Sequence, residues 1–136
     1  MSQDLIFAPM GAMALLTFLV LGFIPARRFR AVFAGQAQRD DFKFGESPAV
    51  PGHVAIPNRN YMNLLELPIL FYVAGLMYFV AGRVDGPVLA VAWTYVALRT
   101  LHSAIHLTYN DVLHRLALFG VSNFVLMAFW LMFFVR

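Results

Sequence analysis

Two stripes of polar residues stand at helical spacing inside otherwise apolar segments of this chain. Their members are Arg59, Asn63 and Glu66 in one segment and Arg99, His102 and His106 in another. Residues three or four positions apart lie on one face of a helix. Arginine grips carboxylates through paired hydrogen bonds, and a carboxylate such as Glu66 can accept from an ammonium group. The stripes therefore predict a pocket for a small polyanionic ligand.

Glu66 and Arg99 are the only charged residues in the apolar segments that contain them. A lone charge in hydrocarbon is costly, so such residues usually pair. Helical rise places Glu66 about 10 Å and Arg99 about 13 Å from the same membrane face, so we expect them to face each other. The alternative is a purely structural ion pair that fixes helix register, with the two histidines only packing near the interface.

Composition identifies an integral membrane protein, because 61% of the residues are hydrophobic and 12% are charged. Soluble domains carry about 25% charged residues. The chain has no cysteine, which excludes disulfides, a thiolate nucleophile and cysteine-bound metal, and we predict no metal site. The few basic residues flank the apolar segments, which argues against nucleic-acid binding.

The elements that must position the stripes are four transmembrane helices, since a span needs about 20 largely apolar residues. We predict helices at about residues 5–25, 60–82, 86–108 and 114–135 in an all-α bundle that forms a single domain. Pro68 predicts a kink in the second helix. Phe29, Val32 and Phe33, beside three arginines, predict an extension of the first helix along the membrane surface.

The long loop over residues 26–59 carries most of the basic residues and a charged patch at Arg39–Glu46. By the positive-inside rule this loop is cytoplasmic, and both termini lie outside the cytoplasm. The predicted pocket therefore opens to the cytoplasm. The short connections and compact length favour a bacterial inner membrane. Arg115 enters the fourth helix at the same face, where an interfacial anchor is the alternative to a functional role.

The same residues carry a family resemblance that covers nearly the whole chain. The pattern Arg59-x-x-x-Asn63-x-x-Glu66, with Pro68 close behind, resembles the second-helix signature of the MAPEG family, the membrane-associated proteins in eicosanoid and glutathione metabolism. The segment Arg99-Thr-Leu-His102, with Arg115 sixteen positions after Arg99, is similar to the third and fourth helices of prostaglandin E synthases. The stretch Ala-Arg-Arg-Phe-Arg over residues 26–30 is similar to the end of the first helix in leukotriene synthase.

The resemblance implies a homotrimer that binds glutathione between neighbouring protomers near the cytoplasmic face. The residues implied as glutathione ligands are Arg59, Asn63, Glu66, Arg99, His102 and His106. Arg115 matches the arginine that stabilises the glutathione thiolate, and positive charge beside a thiol favours the thiolate. Leu116 stands where prostaglandin synthases have a hydroxyl residue, which argues against that isomerase reaction.

The expected function is that of a glutathione-dependent transferase or peroxidase acting on lipophilic electrophiles that enter from the membrane lipid. The alternative is a non-catalytic ligand-binding or scaffold protein of the same fold, because the family includes such a member. A small multidrug transporter is a third possibility by size and by its intramembrane carboxylate. The key glutamate of those transporters lies in the first helix, whereas the segment over residues 5–24 has no charge.

Overall fold

A computed structural model describes residues 1–45 and 47–135, and all regular secondary structure among them is helical. The predicted all-α fold is thus confirmed. Four helical stretches are long and apolar enough to cross a membrane, namely Gln3–Phe33, Gly52–Val80, Gly86–Leu107 and Val112–Val135. With the composition, they make the chain an integral membrane protein with several spans. Glu46, which ends the charged patch of the predicted loop, lies outside the described residues.

The α-helices are α1, Phe7–Phe33; α2, Gly52–Leu65; α3, Pro68–Val80; α4, Gly86–Leu107; and α5, Val112–Val135. Short 3-10 helices cover Gln3–Ile6 and Arg39–Phe42. The connection predicted over residues 26–59 is shorter in the structure, because α1 continues to Phe33, where an extension of the first helix was predicted, and α2 already begins at Gly52. The added helical turns are held by packing, since Ala31 of α1 joins Val54 of α2 in a small buried apolar cluster.

The second membrane span is broken where a kink was predicted. The backbone turns at Glu66, whose φ of −80° and ψ of −99° are not helical. Pro68 has no N–H to continue the hydrogen-bond ladder, and it begins α3 at a position where proline is well tolerated. The α2–α3 pair therefore forms one span of two segments, with Glu66 at their junction.

An aromatic core holds α3 against α4 and α5. The ring of Phe71 lies 4.9 Å from that of Tyr95 and 5.7 Å from that of Phe129. The hydroxyl of Tyr78 donates to the Phe129 carbonyl at 2.9 Å, so this polar group is satisfied inside the core. All four rings are essentially buried. This packing leaves α2, the last turns of α4 and the first turns of α5 to form the polar part of the bundle.

Each end of the bundle is fastened by side chains that bond to backbone groups. At one end, Gln3 accepts from Val84 N–H at 2.7 Å and donates to the Val84 carbonyl at 3.2 Å. At the other end, Arg27 donates to the carbonyls of His53 at 2.9 Å and Leu107 at 2.7 Å. The second fastening ties α1 to the start of α2 and the last turn of α4. The polar stripes converge near that end.

Candidate functional site

Two hydrogen-bonded contacts set the register of α2 against α4. The Ser103 hydroxyl donates to the Asn60 side-chain oxygen at 3.2 Å. One turn away, Arg99 Nη2 donates to the Asn63 side-chain oxygen, and also to the Asn63 backbone carbonyl at 3.3 Å. Asn60, Ser103 and Arg99 are buried. The side chain that meets the intramembrane arginine is therefore an amide.

The predicted pairing of Glu66 with Arg99 is wrong. Both residues are described, and no ion pair joins them. Asn63 already occupies the position opposite Arg99, and the backbone turns away at Glu66 to begin the next helix. Glu66 is consequently exposed on the surface of the protomer, in the middle of a membrane span.

Arg99 is enclosed by the protomer, with none of its surface exposed. Its guanidinium carbon lies 5.8 Å from the centre of the Phe119 ring, within the range of a cation–π contact. Its Nε and Nη1 atoms have no hydrogen-bond partner among the described residues. Arg99 therefore depends on Asn63 and on the Phe119 ring to offset the cost of burying its charge.

A polar cleft of about 400 Å³ opens between α2, α4 and α5. It is lined by Ile56, Arg59, Asn63, His102, His106, Asn110, Val112, Arg115, Leu116 and Phe119. Five predicted site residues meet here, namely Arg59, Asn63, His102, His106 and Arg115. The other two, Glu66 and Arg99, do not line the cleft. Arg99 reaches it only through its contacts with Asn63 and Phe119.

The turn between α4 and α5 positions Arg115 at the cleft. Asn110 has a positive φ of 52°, and its N–H donates to the Ile105 carbonyl at 2.8 Å, which closes α4. The Asp111 carboxylate accepts from the His114 N–H at 2.8 Å and so caps the start of α5. Within this turn, Arg115 Nη1 donates to the Asn110 side-chain oxygen.

Asn110 was not among the predicted site residues, nor were the cleft's apolar side chains Ile56, Val112 and Phe119. An asparagine directly before the Asp111 cap was the available signal for Asn110, because asparagine is favoured at positive φ. Its side-chain bond to Arg115 depends on the geometry of the turn. The apolar residues carried no signal, because they are typical of any membrane helix.

The cleft presents hydrogen-bond donors and positive charge. The side-chain oxygens of Asn63 and Asn110 both accept from arginines, which leaves their amide N–H groups as the available donors. All lining residues are described, and the ionisable ones are arginines or histidines. His102 and His106 are largely buried, and the Nδ1 atom of each has no partner among the described residues. Such a site is suited to a ligand with several anionic groups.

Comparison with curated proteins and with solved structures found no match. The model of the MAPEG family matches residues 6–135, a range that includes all five α-helices and every residue of the cleft. The match spans nearly the whole length of the 136-residue chain. An integral membrane bundle with this cleft, matched over that range, belongs to the MAPEG family, whose members act in eicosanoid and glutathione metabolism at membranes.

Proposed function

We propose that this protein binds glutathione in the polar cleft and uses it in a transferase or peroxidase reaction on lipophilic electrophiles. The observation that carries the proposal is the donor-lined cleft, which brings Arg59 and Arg115 together with two amides and two histidines. Glutathione has two carboxylates and a thiol that can ionise. These groups match a site whose described ionisable side chains are arginines and histidines.

We assign the roles from position in the cleft and, for Arg115, from its resemblance to the arginine that stabilises the glutathione thiolate in the family. Arg59 and the Asn63 amide N–H, on successive turns of α2, would hold a carboxylate, with His102 and His106 opposite them on α4. Arg115 would place its guanidinium beside the sulfur, where positive charge favours the thiolate. When bound, glutathione would supply the thiol as nucleophile or reductant. The chain has no cysteine, so this would be the only thiol present.

We infer the homotrimer from the family resemblance, and the exposed position of Glu66 in the single chain favours assembly with further copies. An exposed carboxylate in a membrane span would be costly against lipid. Irregular backbone at this depth is tolerated where it faces protein or a polar cavity. A second copy that covers the α2–α3 junction would bury Glu66 against protein and against the bound glutathione. The Glu66 carboxylate could then accept a hydrogen bond from the ammonium group of glutathione. Arg99 would then contribute to binding by holding Asn63 in place.

In a membrane, glutathione and the lipophilic electrophile would reach the cleft by different routes. Glutathione would come from the cytoplasm, the side that we expect for the arginine-rich connection between α1 and α2. The electrophile would come from the lipid. The apolar side chains Leu116 and Phe119, which follow Arg115 on α5, line the cleft where the two would meet.

Titration of glutathione into detergent-purified protein tests the proposal, with the oligomer checked by mass. We expect saturable binding, thiolate absorbance in the ultraviolet, conjugation of a generic electrophile and the mass of a trimer. S-methylglutathione is the control, since it keeps the carboxylates but cannot form a thiolate. Binding without any turnover would favour the non-catalytic alternative, and absence of binding would refute the proposal.

A further inference from the structure

Asn110 contacts Arg115, the residue that we propose stabilises the glutathione thiolate. Its side-chain oxygen accepts from Arg115 Nη1, and both residues line the cleft. Arginine carries five N–H donors. Committing one of them to Asn110 restrains the orientation of the guanidinium and leaves the others available to a ligand.

The turn that carries Asn110 is itself tightly held. The Asn110 N–H bonds to Ile105, the Arg115 N–H donates to the Asp111 carbonyl at 3.1 Å, and the Asp111 side chain caps α5. A positive φ is strained for most side chains but is well tolerated by asparagine and glycine. The amide oxygen is thus presented to Arg115 from a backbone position that the turn determines.

The choice of an amide has an electrostatic consequence. A carboxylate at position 110 would also accept from Arg115, but it would offset the positive charge that a thiolate needs. The Asn110 amide orients the guanidinium without neutralising it. It also leaves an N–H donor for the cleft.

We propose that Asn110 is a positioning residue that aims the Arg115 guanidinium at the sulfur of bound glutathione while preserving its charge. This inference rests on the proposed function. The α4–α5 turn, through Asn110, would then influence the acidity of the bound thiol.

Titration of the thiolate absorbance of bound glutathione against pH tests this role in the full-length protein. Asn110→Gly keeps the positive φ but removes the acceptor, and we expect the acid dissociation constant of the bound thiol to fall about tenfold, with a smaller loss of glutathione affinity from the missing amide donor. Asn110→Asp keeps the acceptor but adds a negative charge, and we expect its titration to shift to higher pH. Tyr109→Phe, in the same turn but outside the cleft, is the matched control and should titrate like the wild type.

The outcomes separate the two proposals. If the wild type binds glutathione without forming a thiolate, both the thiolate chemistry and the role of Asn110 are refuted. If the wild type forms the thiolate and Asn110→Gly titrates identically, only the role of Asn110 is refuted. A uniform loss of binding in Asn110→Gly, with an unshifted titration of the remaining complex, would indicate a merely structural residue and would also overturn the inference.

Discussion

Arg99 donates to the side chain of Asn63, and Glu66 lies one turn beyond this contact on the surface of the protomer. Glu66 and Arg99, which were predicted to pair, therefore have separate roles. The arginine is part of the protomer's interior, where it holds the Asn63 amide with its N–H toward the cleft. The carboxylate faces outward, where a ligand or a second copy can reach it.

Replacing Asn63 should separate stability from binding. Asn63→Leu removes the side-chain acceptor of Arg99, and we expect a loss of about 2–3 kcal/mol of stability, because the buried guanidinium keeps only the longer bond to the backbone carbonyl of residue 63. Asn63→Asp keeps an acceptor for Arg99 and should remain close to the wild type in thermal unfolding. Because it also exchanges a donor for a negative charge beside the cleft, its affinity for glutathione should fall about tenfold. Equal stability of both variants would contradict the role assigned to Asn63.

Replacing Glu66 should affect binding more than folding. A Glu66–Arg99 pair, as predicted from the sequence, would make Arg99 lose its partner when Glu66 is replaced, but in the structure Arg99 has other partners. We expect Glu66→Gln to keep its helical content by circular dichroism and to bind glutathione about tenfold more weakly. Asp40→Asn, in the connection between α1 and α2, is the control for loss of an exposed acid. Unfolding of Glu66→Gln with unchanged affinity in the folded fraction would show that the carboxylate is structural.

Replacing Arg115 should abolish the thiolate and largely spare the binding of glutathione. The guanidinium is the positive group that we place beside the sulfur, whereas the carboxylates would be held by Arg59 and Asn63. We expect Arg115→Ala to lose thiolate absorbance and conjugation, with a dissociation constant changed by less than about tenfold. Arg83→Ala removes an arginine at the opposite end, where it donates to the Phe133 carbonyl at 2.9 Å, and should keep both signals. Persistent thiolate in Arg115→Ala would assign the chemistry to another cation.

Gly75 should tolerate alanine but not leucine. A β-carbon at this position would stand 2.7 Å from the sulfur of Met10, at the contact between α1 and α3. Methionine is flexible enough to move away from one added methyl group. Leucine would overpack the contact, and we expect it to cost about 1–3 kcal/mol in thermal unfolding. Gly120→Leu is the matched control, because a β-carbon added there would have nothing within 4 Å and its stability should change little.

The sequence predicts the spans and most of the cleft, because apolar length and helical spacing are local properties. The stripes on α2 and α4 place Arg59, Asn63, His102 and His106 in one site without any knowledge of packing. The three- and four-residue spacing places Glu66 on the same face as Arg59 and Asn63 only if the helix is continuous. In the structure Glu66 leaves that face. Pro68, two positions later, ends that continuity.

The register of α2 against α4 could not be predicted from the sequence either. Depth estimated from helical rise places Glu66 and Arg99 at similar levels, but the Asn60–Ser103 contact shifts the match by one turn to Asn63. A difference of one turn is about 5.4 Å, which is enough to change the partner of a side chain. The bond from Arg115 to Asn110 depends on a backbone conformation that spacing does not encode.

The reciprocal pairing of Gln3 with Val84 determines where a purification handle can be attached. It fastens the first residues to the α3–α4 connection, at the end of the bundle remote from Arg115 and the histidines. An affinity tag or fluorescent label joined ahead of Met1 would thus stand at the opposite end of the bundle from the polar cleft. Immobilisation through such a tag would leave the mouth of the cleft unobstructed for calorimetry or surface-based binding assays.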